Sequence, residues 1–221
     1  MNTKRSHARP LFLLAALCGA AFLVWTYLLT VCDVRPIGPR GSSVGFAAMN
    51  GAFHDLTGVS LSLYTLTDWL GLVPVAVALG FAVLGLVQLV RRGLRGVDRY
   101  LFFLGAHYLL VAAAYLFFEA VPLNYRPTLI DGYPETSYPS STTLLVLCVI
   151  PTAALDLCPR IRAASVRRAL AVAAALFSAF MMAGRLLSGV HWLSDIVGGL
   201  LLSAALVLLY AAVCARFVHK P

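Results

Sequence analysis

Leu11 to Cys32 runs for 22 residues without a charged side chain, and Trp69 to Val90 does the same. The hydrocarbon core of a bilayer is crossed by a helix of roughly 20 apolar residues, so each run reads as a span. Four further apolar stretches follow: Tyr100 to Phe118, with His107 inside it; Thr142 to Leu155, short and carrying Pro151; Ala169 to Gly184; and Ile196 to Ala215. The expectation is an all-α polytopic membrane protein, one membrane-embedded domain over residues 1–221 with six transmembrane helices. Composition agrees, with 61% of the residues hydrophobic and 12% charged, against roughly 45–50% apolar in soluble domains. A basic start (Lys4, Arg5, Arg9) before an apolar run raises a signal peptide. That run is too long for a signal core and no small-residue cleavage site closes it, so it reads as the first span. Residues 33–67 mix glycine, proline and aromatic residues and are too long for a bare loop. They are expected to lie along the membrane surface with one short interfacial helix.

The net charge of +8 is a matter of topology rather than of nucleic-acid binding. With the N-terminus inside, 13 of the 17 lysines and arginines fall on the cytoplasmic side: Lys4, Arg5, Arg9; Arg91, Arg92, Arg95, Arg99; Arg160, Arg162, Arg167, Arg168; Arg216 and Lys220. Arg35, Arg40, Arg126 and Arg185 remain outside. That asymmetry fits six spans with both termini cytoplasmic. The five cysteines lie in or beside apolar runs with no CxxC or metal-ligand spacing, and read as packing residues.

On the outer side, three stretches at the ends of different spans can meet: NYRP (Asn124 to Pro127), SYPSST (Ser137 to Thr142) and GRLLSGVHWLSD (Gly184 to Asp195). His191 and Asp195 stand four apart, so on a helix they share a face. Guanidinium forks match phosphate oxygens, and a helix start preceded by Pro139, Ser140 and Ser141 offers free N–H groups to an anion. A histidine held by a carboxylate is a stronger nucleophile or base. Together the set suits phosphoryl transfer, with positive charge on the equatorial oxygens and a nucleophile in line. No metal or other cofactor is called for. His107 reads as a buried hydrogen-bonding residue. Trp69, Trp192, Tyr125 and Tyr138 read as interfacial aromatics, with Tyr125 and Tyr138 also able to line a pocket.

These residues resemble the type 2 phosphatidic acid phosphatases, membrane lipid-phosphate phosphatases with a haloperoxidase-like core. The family pattern is Lys, six residues, Arg-Pro; then Pro-Ser-Gly-His; then Ser-Arg, five residues, His, three residues, Asp. The third part is met by Arg185, His191 and Asp195, with Gly184 for the serine. The first is met at Arg126-Pro127, with Glu119 for the lysine; the second at Pro139-Ser140, with Ser141 and Thr142 for Gly-His. The resemblance implies that His191 attacks phosphorus to give a phosphohistidine, that Asp195 orients it, and that Arg126, Arg185 and Ser140 hold phosphate, Ser141 beside them. The substrate would be a phospholipid or polyprenyl phosphate in the bilayer, handled on the extracytoplasmic face of the cell membrane. Thr142 cannot supply the proton that the family histidine gives the leaving oxygen; His54, Glu119 and Glu135 are the outer-side candidates for it. A weakened lipid-phosphate binding or transport protein, and a phosphotransferase with the same pocket, stay open as alternatives.

Overall fold

The structure, a computed structural model, describes residues 2–218, with side chains from Ala8 onward. Lys220 lies outside the described residues, as do the side chains of Lys4 and Arg5. The helices are α1 (Asn2–Val31), α2 (Ala47–Thr57), α3 (Leu61–Leu70), α4 (Leu72–Arg92), α5 (Arg99–Ala120), α6 (Ser141–Leu157), α7 (Ala164–Leu187) and α8 (Leu193–Phe217). Among the described residues six segments are long and apolar enough to cross a membrane; α3 and α4 together make one of them, Leu61–Arg92. The expected surface segment therefore ends earlier than 67. It keeps the short helix α2, while 61–67 already belongs to the second span. Asp68 made the sequence look polar there, but its carboxylate leans out of the helix with 60% of the side chain exposed.

α8 and α6 form the centre of the bundle. α1 packs along α8 more extensively than any other pair of helices, and α6 packs against α8 and α7. Leucines and valines around the outside, such as Leu17, Leu23, Leu109 and Leu176, stay exposed. That suits a surface solvated by acyl chains rather than by water. At one end Phe81, Tyr100, Leu104, Tyr210 and Cys214 form a core cluster. At the other, Phe22, Leu29 and Tyr138 form a second.

Two departures from small-residue indifference fix where the outer ends sit. A side-chain carbon on Gly184 would lie 2.6 Å from Thr67 Cγ2, so its bare backbone lets α7 close onto α3. One on Gly198 would lie 2.5 Å from the Tyr138 ring, which fills that space against α8. Tyr138 is accordingly 1% exposed, stacked on Phe22, with its hydroxyl 2.7 Å from Thr26 Oγ1. Trp192 is buried too, donating from Nε1 to the Tyr125 carbonyl at 2.7 Å. Neither is the interfacial aromatic that its position suggested, whereas Trp69 is well exposed. His107 is buried, its Nε2 3.4 Å from the Cys148 carbonyl. The Thr152 hydroxyl donates to that same carbonyl beside Pro151, a residue that brings no N–H of its own.

Candidate active site

Two connections, α5 to α6 and α7 to α8, converge at one end of the bundle. The 121–140 loop doubles back on itself through isolated antiparallel bridges, Tyr125 with Thr136 and Ile130 with Tyr133. This pairing makes Arg126 and Glu135 neighbours: the Arg126 N–H donates to the Glu135 carbonyl, and Arg126 Nε lies 3.1 Å from Glu135 Oε2. The turn between α7 and α8 carries His191. The Ser140 N–H donates to the Asp195 carbonyl at 3.2 Å, tying the start of α6 to the start of α8.

His191 sits between an arginine and a carboxylate. Arg185 Nη2 is 3.3 Å from His191 Nε2. A guanidinium only donates, so Nε2 carries a lone pair and the ring proton is on Nδ1. Nδ1 faces Asp195 Oδ2 at 3.6 Å, a distance one small ring movement from a hydrogen bond. The same oxygen accepts the Trp192 N–H at 2.9 Å, so Asp195 both caps α8 and fixes the carboxylate beside the ring. Asn124 Nδ2 holds the other oxygen from 3.4 Å. Burial pushes the His191 imidazole well below its ordinary range, and the charges of Arg185 and Arg126 push it further; the Ser137 carbonyl opposes them in part. The ring is held neutral, which is the form with a nucleophilic lone pair.

Both guanidiniums lie over one ring, that of Tyr64 on α3, at 4.9 Å for Arg185 and 5.6 Å for Arg126. Arg185 is 1% and Arg126 9% exposed. Nη1 of Arg126 and Nε of Arg185 are buried with no hydrogen-bond partner. Buried guanidinium donors are costly to leave unpaired, so these positions favour an anionic partner. Arg185 Nη1 faces Asp68 Oδ1 at 3.6 Å.

The predicted residues divide accordingly. Arg126, Arg185, His191 and Asp195 come together. Ser140 is fully buried beside them, its hydroxyl accepting from Thr143, and Ser141 opens α6. Glu135 is on Arg126. Glu119 is exposed and accepts a hydrogen bond from Thr136 at 2.8 Å, with no contact to either arginine. His54 packs its ring 5.6 Å from Trp192. Sequence reasoning missed Tyr64, Asp68, Asn124 and Asn50. Asn50 is fully buried and binds both the Ser194 N–H and the Ser194 hydroxyl, locking α2 to the start of α8. Asp68, an acid just before an uncharged run on the outer side, was the one visible in principle.

Beside Asp68, an apolar groove of about 890 Å³ lies between α4, α5 and α6. Its polar end is Asp68, Ser141 and Thr142; Leu72, Phe81 and Leu104 are among its walls.

The chain matches the model of the PAP2 superfamily over residues 99–218. No curated protein matches it. In fold it is similar to the first transmembrane PAP2-type phosphatidylglycerolphosphate phosphatase from Bacillus subtilis, known from a crystal structure. The two chains are 18% identical, with 94% of this chain and 99% of the other covered at a TM-score of 0.56.

Proposed function

Because the chain belongs to the PAP2 superfamily, we propose that it is a membrane phosphohydrolase that removes phosphate from a lipid phosphate or diphosphate through a phosphohistidine. The observation that carries this reading is a neutral histidine whose Nε2 lone pair lies 3.3 Å from the buried Arg185 guanidinium, with the buried Arg126 guanidinium over the same Tyr64 ring. The arginines would bind the phosphate oxygens and gather the charge that spreads over them in the transition state. His191 Nε2 would attack phosphorus, the lipid oxygen would leave, and water would then release phosphate from the ring. Asp195, facing Nδ1, would stabilise the ring as it becomes cationic. The charge is met by guanidinium groups, so the reaction as proposed uses no metal.

The groove suits the rest of the substrate, since an acyl or prenyl chain needs an apolar path that begins where its headgroup is held. The placing of arginine and lysine along the chain supports an extracytoplasmic site and cytoplasmic termini. The similar Bacillus subtilis protein acts on phosphatidylglycerolphosphate, and we include that lipid among the candidates.

The test is phosphate release by the purified protein from phosphatidic acid, phosphatidylglycerol phosphate and a polyprenyl diphosphate, with acid-labile labelling of the protein by ³²P-substrate. Release with at least one lipid, and loss of both release and label in His191→Ala, are expected. Release that persists in that variant removes the nucleophile. Binding of all three lipids without release by the wild type makes the chain a lipid-phosphate binding protein instead.

A further inference from the structure

We infer that Asp68 carries the proton of this reaction, giving it to the lipid oxygen that leaves phosphorus and recovering it from the attacking water. The inference rests on the phosphatase reading above. Thr142 occupies the place from which a histidine would serve, so the proton must come from another side chain. The sequence offered His54, Glu119 and Glu135 for this role, and the structure adds Asp68; of the four, Glu135 faces Arg126 and Asp68 faces Arg185.

Three observations single out Asp68. First, its Oδ1 is 3.6 Å from Arg185 Nη1, while His191 Nε2 is 3.3 Å from Nη2 of the same guanidinium. The two groups flank one phosphate-binding fork, as a nucleophile and a proton donor must when attacking and leaving atoms are roughly in line. Second, Asp68 lines the polar mouth of the groove beside Thr142, and its lining includes none of His54, Glu119 and Glu135. A chain lying in that groove would have its polar end at Asp68, whose carboxylate faces Arg185. Third, the Asp68 side chain is 60% exposed and open to an incoming ester, unlike the sealed His191 and Asp195.

The steps balance. The cycle begins with phosphate seated on Arg185 and the proton on Asp68. As the Nε2–phosphorus bond forms, the phosphorus–oxygen bond to the lipid breaks and the leaving oxygen takes the Asp68 proton. In the second half Asp68 accepts a proton from water as its oxygen bonds to phosphorus and the Nε2–phosphorus bond breaks. Neutral His191, protonated Asp68 and inorganic phosphate result, with no redox change and no co-reactant.

The experiment compares two leaving groups in wild type, Asp68→Asn, Asp68→Glu and Glu135→Gln, each checked for an unchanged melting temperature. Phosphatidic acid releases a poor alkoxide that needs a proton; p-nitrophenyl phosphate releases a phenoxide that does not. In Asp68→Asn, release from phosphatidic acid should fall by about 10²- to 10⁴-fold, with a far smaller fall for the aryl ester. Asp68→Glu should recover part of the difference. Equal losses on both substrates, or no loss, overturn the assignment, as does a leaving-group-dependent loss in Glu135→Gln alone. If Asp68→Asn unfolds, the assignment stands or falls on whether Asp68→Glu loses more on the alkyl ester than on the aryl ester. Absence of release by wild type from both of these substrates and from the phosphatidylglycerol phosphate and polyprenyl diphosphate tested above would instead sink the phosphatase reading itself.

Discussion

Arg185 is the residue on which the proposed chemistry turns, because one planar group reaches His191 with one nitrogen and Asp68 with another. A lysine keeps the charge but presents a single point and cannot span both. Arg185→Lys should therefore lower kcat/KM by about 10²-fold or more, the scale of a lost transition-state donor, without unfolding the protein. Full activity in that variant would show that the fork is dispensable. His191 offers a second reading at this scale. Its protonation removes the attacking lone pair, and its proton affinity is depressed by burial and by Arg185 and Arg126. Activity should persist as the pH falls below about 6.5, the ordinary imidazole value. Taking away one of those positive charges must raise the group again, so the acid limb of kcat/KM should move to higher pH in Arg126→Gln than in wild type on the same substrate. A limb that stays put or moves down would contradict the assignment of that limb to His191. Arg185, His191 and Asp195 were legible as neighbours through their fixed spacing, and Arg126 only through its Arg-Pro pair. Tyr64 was not, because it reaches the site from a span some 120 residues away in sequence where nothing local marks it; Asp68, an acid before an uncharged run, was marked locally but by nothing that ties it to the site.

Helix boundaries were legible wherever a span was uncharged from end to end. They were not at the start of the second span, where Asp68 interrupts the apolar pattern and α3 runs into α4. Nor could the sequence tell that Tyr138 and Trp192 turn inward, since an aromatic at a span end suits the interface as well as the core. The close approach of α7 to α3 was equally hidden, because it depends on what Gly184 lacks. Gly184→Ala should drive Cβ against Thr67 Cγ2 and cost about 1–3 kcal/mol, the range for overpacking. Thr67→Ser, which removes the offending methyl, should restore much of it. Thermal melts in detergent of the single and double variants check this; additive effects of the two changes would refute the clash.

Across the whole molecule, the arginine and lysine distribution argues for a single orientation. In a background with Cys32 and Cys158 replaced by serine, a cysteine at Gly132 should react with a membrane-impermeant thiol reagent added to intact cells, and one at Arg95 should not. The reverse pattern would invert the molecule. The family resemblance lies within residues 99–218, yet the site is closed by side chains that come before that stretch. Trp25 donates to the Ser194 carbonyl, Asn50 grips Ser194, and Tyr64 lies beneath both guanidiniums. The recognisable segment is thus an engine block without its cylinder head. Expressed by itself, it would leave Ser194 without Trp25 and Asn50, and two arginines with no ring to lie on.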